Sequence, residues 1–207
     1  MAKYEAATAG SRAGELAQTM GLQLIEGDPM LNLRLAVHAS HQKSNNEETR
    51  VVLEGAPDGR ATRLNYYHRR KSVRDFNKTI ISTWISAEIS VAVHAPFPEF
   101  EILQRDPGHY GSETKPRLAA APHPCGDASL DAKLLIKTHD PRISHVLAPV
   151  LAVPASWEYV HIHGKDNKIS FHATKTTVGY LGIADQIQQV LNEMARHLET
   201  VTTARSA

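Results

Sequence analysis

Residues 157–174 read WEYVHIHGKDNKISFHAT, two runs of alternating apolar and polar side chains on either side of Gly164-Lys165-Asp166-Asn167. Aspartate and asparagine tolerate the positive φ that a two-residue hairpin turn requires, so the pattern predicts a β-hairpin closing at Asp166-Asn167. In that register Val160 faces Ala173, Ile162 faces Phe171 and Gly164 faces Ile169, an entirely apolar face. Tyr159, His161, His163, Ser170 and His172 fall on the other face, with His161 directly across from His172. A slip of one residue would mix the two faces, so the pattern itself fixes the register. A ribbon with one apolar face must bury it against other elements, which places the chain among folds with a packed sheet.

The polar face of this ribbon raises a chemical possibility. Two histidines two residues apart on one strand, with a third on the neighbouring strand, can converge on a single zinc ion. Neutral imidazoles suit that metal, and three protein ligands leave a position open for water. His161, His163 and His172 are therefore candidate metal ligands. A solvated or helix-covered sheet face explains the same pattern without a metal. Lys165 and Lys168 would repel a cation, and no carboxylate is evident on that face as an outer partner.

Upstream of the hairpin the chain alternates short elements with turn signals. Ser11 to Met20 reads as a helix with Ser11 as N-cap and Gly21 as its stop. Strands are expected at Leu22–Ile25 and Leu31–Val37, with a polar loop from His41 to Thr49. Val51–Glu54, the turn Gly55-Ala56-Pro57-Asp58-Gly59 and Thr62–Tyr67 form a second hairpin signal. Ile81 to Val93 alternates with period two, long enough to need a bend or bulge, and leaves Trp84 on the polar side. That tryptophan is either covered by a helix or part of a contact surface. Phe100–Leu103 is a return strand, 106–127 a long mobile loop and internal division of the chain, and Leu130–Lys137 a strand. Asp140-Pro141 opens a helix to about residue 151. Tyr180 to Leu198 carries one apolar stripe, the mark of a long amphipathic helix.

Arg69 to Lys78 reads as a basic connection. Arg69, Arg70, Lys71 and Arg74, with Arg63 and Lys78 near by and Tyr66, Tyr67 and Phe76 interleaved, are candidate ligands for the phosphates of nucleic acid or of phospholipid headgroups. A solvated hairpin whose charges keep a sheet edge from aggregating has the same composition. Cys125, in His123-Pro124-Cys125-Gly126, reads as an incidental thiol: the proline fixes neither distance nor direction for a Cys–His dyad.

Composition narrows the classes further. The 207 residues carry a formal net charge of +1, with 42% apolar and 22% charged residues, so the chain is globular rather than disordered and has no global attraction for polyanions. A single cysteine excludes an internal disulfide, no apolar run approaches a membrane span, and Met1-Ala2-Lys3-Tyr4-Glu5 does not read as a secretory signal. A cytoplasmic location is expected. Twelve histidines are the one compositional oddity.

The order of these features resembles the DUF3137-like group of bacterial proteins of unknown function. The resemblance rests on Gly21-Leu22, Gly27-Asp28-Pro29, Val52-Leu53-Glu54-Gly55 with Asp58-Gly59-Arg60, Tyr66-Tyr67, Leu130 to Lys137 and Asp140-Pro141-Arg142, and covers roughly residues 11 to 174. It implies a fold alone, since no activity or functional residue comes with it.

The expected fold is α+β in a single domain, its ends 1–10 and 200–207 frayed. A mostly antiparallel, curved or barrel-like sheet of about seven or eight strands is accompanied by a short N-terminal, one mid-chain and one long C-terminal helix. No catalytic constellation stands out, so a non-enzymatic binding or adaptor domain for a protein partner is the leading expectation. The alternatives are a zinc-dependent hydrolase or hydratase using His161, His163 and His172, and a phosphate or lipid-headgroup binder using residues 63–78.

Overall fold

The computed structural model describes residues 12–31, 33, 46–75, 78–108, 115–174 and 178–203. Eight strands are present: β1 (Gln23–Glu26), β2 (Asn46–Gly55), β3 (Thr62–Asp75), β4 (Lys78–Ala92), β5 (Phe100–Gln104), β6 (Leu134–Thr138), β7 (His161–Lys165) and β8 (Lys168–Thr174). They form one antiparallel sheet in the order β1-β2-β3-β4-β8-β7-β5-β6. The sheet ends at β1 and β6 and is open, so the barrel-like closure considered from sequence does not form. The α-helices are α1 (Ala13–Thr19), α2 (Ala128–Asp131), α3 (Arg142–Leu147) and α4 (Ala184–Thr203). The α+β class and the short, mid-chain and long C-terminal helices are as the sequence led one to expect. By its contacts the chain divides into two compact units, Met1–Ile89 with Ala173–Asp185, and Ser90–His172 with Gln186–Ala207.

In the first unit, α1 stops where glycine allows it. Gly21 adopts φ +64°, its N–H donates to Gln18 O and the Leu22 N–H to Ala17 O, the paired bonds of a left-handed helix terminus. The helix is capped one residue later than expected, by Arg12, whose N–H donates to the Glu15 carboxylate; Ser11 lies outside the described residues. Antiparallel pairing of β2 with β3 puts Val51 opposite Tyr66 and Leu53 opposite Leu64. All four side chains are buried, as are Ile85, Ala87 and Ile89 of β4. Tyr66 donates its hydroxyl to the carbonyl of Leu33 at 3.2 Å, and burial pushes its pKa up to about 12.

Three sequence expectations fail in this unit. The polar loop expected up to Thr49 is already strand from Asn46, and the basic connection 69–78 belongs to β3 up to Asp75 and to β4 from Lys78. Both errors have one cause: Glu47 pairs with Arg70 and Glu48 with Arg69 across the ladder, and opposite charges in register support a strand that composition alone makes look like a loop. The strand expected at 31–37 is absent at its described positions. Leu31 donates its N–H to Asp28 O and accepts from Ala13 N at 3.0 Å, and Leu33 sits in a turn; the remaining positions lie outside the described residues.

In the second unit the hairpin has the predicted register where its strands pair, but β7 begins only at His161, so residues 157–160 of the expected strand lie outside it. Ile162 pairs with Phe171, His163 with Ser170 and Gly164 with Ile169, and Asp166 and Asn167 take φ +52° and +57°. The apolar face is a buried core in which Trp157 and Tyr159 each meet Phe171 edge-on at 5.9 Å. Tyr159, expected on the histidine face, joins the apolar one because it precedes the strand, where alternation does not hold. Gly164 is required for a packing reason. It lies opposite Phe100 of β5, and a Cβ added there would fall 2.1 Å from the Phe100 ring. Along α4, Ile187, Leu191, Met194 and Leu198 are buried, and Glu199 accepts the His94 N–H at 2.6 Å.

The strand expected from Leu130 begins only at Leu134. Asp127 caps a helical turn first, its carboxylate accepting the N–H groups of Ser129 at 2.8 Å and Leu130 at 3.3 Å, an N-cap signal overlooked in an apolar run. The helix opened at Asp140-Pro141 runs as α3 and then as a 3-10 turn at Ala148–Val150, where Pro149 cannot continue an α-helical ladder. Residues 115–127 are held rather than loose: the His123 N–H donates to Ile136 O at 2.8 Å, and Pro122 bridges to Lys137.

Candidate functional site

Two surfaces bear on function, one in each unit. The first is the histidine face of β7 and β8. Strand β5 runs antiparallel to β7 with Glu101 opposite His163 and Leu103 opposite His161, so carboxylates enter a face on which the hairpin sequence showed none. His161 Nε2 lies 2.9 Å from Glu101 Oε1, and His163 Nε2 lies 2.9 Å from Glu99 Oε1, with Lys165 Nζ 3.5 Å from the same oxygen. The expectation that no carboxylate stands on this face is corrected accordingly.

The face is also not solvated. His161 is 3% and Glu101 0% exposed. What covers them is a segment without regular structure, not a helix. The Arg117 N–H donates to both Glu101 oxygens and the Leu118 N–H to Oε2, all at 2.9 Å. Burial alone would raise the Glu101 pKa, but the hydrogen bonds from His161, Leu118 and Arg117 outweigh it and bring it down to about 2. The hydrogen bond from His163 likewise holds Glu99 below the ordinary carboxylate value. Glu101 is thus a buried, ionised carboxylate with three donors, the only arrangement in which such a charge is stable out of water.

The three histidines are gathered as the hairpin register predicts. Ring centroids of His161 and His172 are 5.3 Å apart, and those of His163 and His172 are 6.5 Å apart. Their Nε2 atoms are directed at separate partners. Nε2 of His161 and of His163 each point at a carboxylate, and Nε2 of His172 lies 3.3 Å from the Arg117 guanidinium. Among the described residues no three His, Cys, Asp or Glu side chains are grouped to hold a metal ion. The geometry builds a structural network that fastens residues 115–118 over the sheet. Cys125 is buried. Burial raises its pKa and Asp131 adds to the rise, while the hydrogen bond to the Asp127 carbonyl works against it. The histidine near its backbone is His145, with Nδ1 3.1 Å from Cys125 O, not His123.

The second surface is the open face of β2, β3 and β4 in the first unit. Opposite the buried Val51, Leu53, Leu64 and Tyr66 stand Arg50, Glu48, Arg63 and Arg69, all exposed. Arg63 meets Glu54 at 3.0 Å and Arg50 meets Glu26 at 3.5 Å, while Arg69 is in register with Glu48 and Tyr67 with Arg50. On β4, Trp84 is 51% exposed and its neighbour on the same side, Ser86, is exposed as well. Among the described residues no helix covers this tryptophan. Of the four candidate phosphate ligands, Arg69, Arg70, Lys71 and Arg74 all lie on β3. The first two face Glu48 and Glu47 across the ladder, and Lys71 faces Asn46. Carboxylates in register with two of the four cations weaken an anion-binding reading of the strand.

The sequence reading missed Glu99, Glu101 and Arg117. One signal was present: Phe100-Glu101-Ile102-Leu103 places a single carboxylate inside an apolar strand, which demands a buried partner. The partner lies sixty residues away in sequence, beyond any local pattern.

No family model and no curated protein matches the chain. Among solved structures it is similar to the mycobacterial trehalose monomycolate transport factor A, TtfA, with a TM-score of 0.51 and 11% identity over 90% of this chain and 94% of that one. At that identity the likeness concerns the fold. No described helix is long and apolar enough to cross a membrane.

Proposed function

We propose that this chain is a non-enzymatic binding domain that engages a protein partner through the open sheet face around Trp84. The observation that carries the reading is the 51% exposure of Trp84 on a strand whose alternate residues are buried. Tryptophan and arginine are the side chains that most often anchor protein interfaces, and here an exposed tryptophan lies in a sheet that also exposes Arg50, Arg63 and Arg69. The alternating charges beside it suit a protein surface better than a polyanion. Supporting the non-catalytic part, the His161–Glu101 pair is buried, and the Glu101 carboxylate accepts the backbone N–H groups of Arg117 and Leu118. The shared fold with a transport factor is in keeping with a role in binding or transport rather than in chemistry.

The test is site-specific photo-crosslinking in the native cell, with a benzophenone amino acid in place of Trp84 and, as control, of Arg196 on the exposed side of α4. A discrete protein adduct from position 84 and none from 196 is the expected outcome. No adduct from 84, or the same products from both positions, would contradict the assignment.

A further inference from the structure

We propose that the occupant of the open face is a second copy of this chain, an inference that rests on the binding role argued above and adds the identity of the partner. The face is assembled from opposite charges side by side. Arg50 sits 3.5 Å from Glu26 and Arg63 sits 3.0 Å from Glu54, while Arg69 stands in register with Glu48. Three cations and three anions therefore share one side of β1–β3, next to Trp84 on β4. A polyanion laid on this surface meets like charge on β1 and β2, and a polycation meets it on β2 and β3, which disfavours both. A surface with the same interleaving meets opposite charges, and a two-fold axis supplies one, because each residue then faces a residue of its own surface. Trp84 and Ser86, large beside small and both exposed, give such a contact an apolar anchor and room beside it.

The size of the face sets the strength. Three strands about 4.8 Å apart and about ten residues long cover roughly 500 Å². That is less than the ~800 Å² per partner of a standard stable interface. Pairing is therefore concentration-dependent, and because much of the surface is charged it weakens with salt.

Sedimentation velocity of the full chain from about 1 to about 300 µM tests this, since a contact of that size belongs in the micromolar range. The expected result is a reversible monomer–dimer shift. It should weaken about tenfold or more in Trp84→Ala, persist in Trp84→Phe, and weaken in Arg63→Glu, with circular dichroism and melting unchanged in Trp84→Ala. A monomer throughout, or a dimer indifferent to Trp84→Ala in a folded variant, overturns the proposal. A monomer whose position 84 cross-links a different protein overturns the second copy alone and leaves the binding role standing. Failure of both experiments removes both.

Discussion

Glu101 shows how much one residue can fix. A carboxylate with no solvent exposure is stable only if ionised and fully bonded or else neutral, and the N–H groups of Arg117 and Leu118 select the ionised form. Its folded pKa of about 2 lies below the ordinary value of 4.5. A depressed carboxylate contributes stability that is present above the unfolded pKa and lost as pH falls through the folded one. The contribution is about 3 kcal/mol above pH ~5, fading between pH ~4.5 and ~2. Acid titration of unfolding free energy should show this limb, and Glu101→Gln should flatten it and lower neutral stability by about 2–4 kcal/mol, since a glutamine NH₂ would face two backbone donors. An unchanged urea midpoint in that variant would remove the network from the account. In the same way, Tyr66→Phe leaves the Leu33 carbonyl without its 3.2 Å donor and should cost about 1 kcal/mol in chemical denaturation.

At the scale of elements, the β7–β8 hairpin was legible from its sequence because turn chemistry and alternation agree. Asp166 and Asn167 supply positive φ, and Ile162 and Phe171 can share a face only in one register. Replacing Asn167 by valine should cost about 1–2 kcal/mol, since a β-branched residue resists φ near +57°, whereas glycine should be tolerated; thermal melts separate the two. Gly164→Ala should be worse, about 2–4 kcal/mol, because its Cβ would enter the Phe100 ring. Partial recovery in Gly164→Ala with Phe100→Leu would confirm that the clash is the cause. What was not legible is instructive. The second half of β3 reads as a loop because Arg69, Arg70 and Lys71 look solvated until Glu48, Glu47 and Asn46 are placed opposite them. The neighbours of β5 were hidden for a similar reason. Pro96 and Pro98 suggest a return onto β4, yet β5 lies between β7 and β6, a pairing decided by burial of Phe100 and Ile102 rather than by proximity in sequence. The histidine face was expected to be solvated or covered by a helix, and its actual cover, residues 115–118, escaped notice because it has no regular structure and no periodicity of its own.

For the molecule as a whole, the contrast between its two polar sheet faces carries the functional reading. One, in the unit of Ser90–His172 with Gln186–Ala207, buries its titratable groups beneath a pinned segment. The other, in the unit of Met1–Ile89 with Ala173–Asp185, leaves a tryptophan and interleaved charges in water. Hydroxyl-radical footprinting of dilute native protein, resolved residue by residue by mass spectrometry, reads both faces at once. Trp84 should oxidise rapidly, while Trp157, Tyr159 and His161, at most 8% exposed, should be protected until the chain unfolds. Fast oxidation of Tyr159 and His161 together with a protected Trp84 would contradict the account.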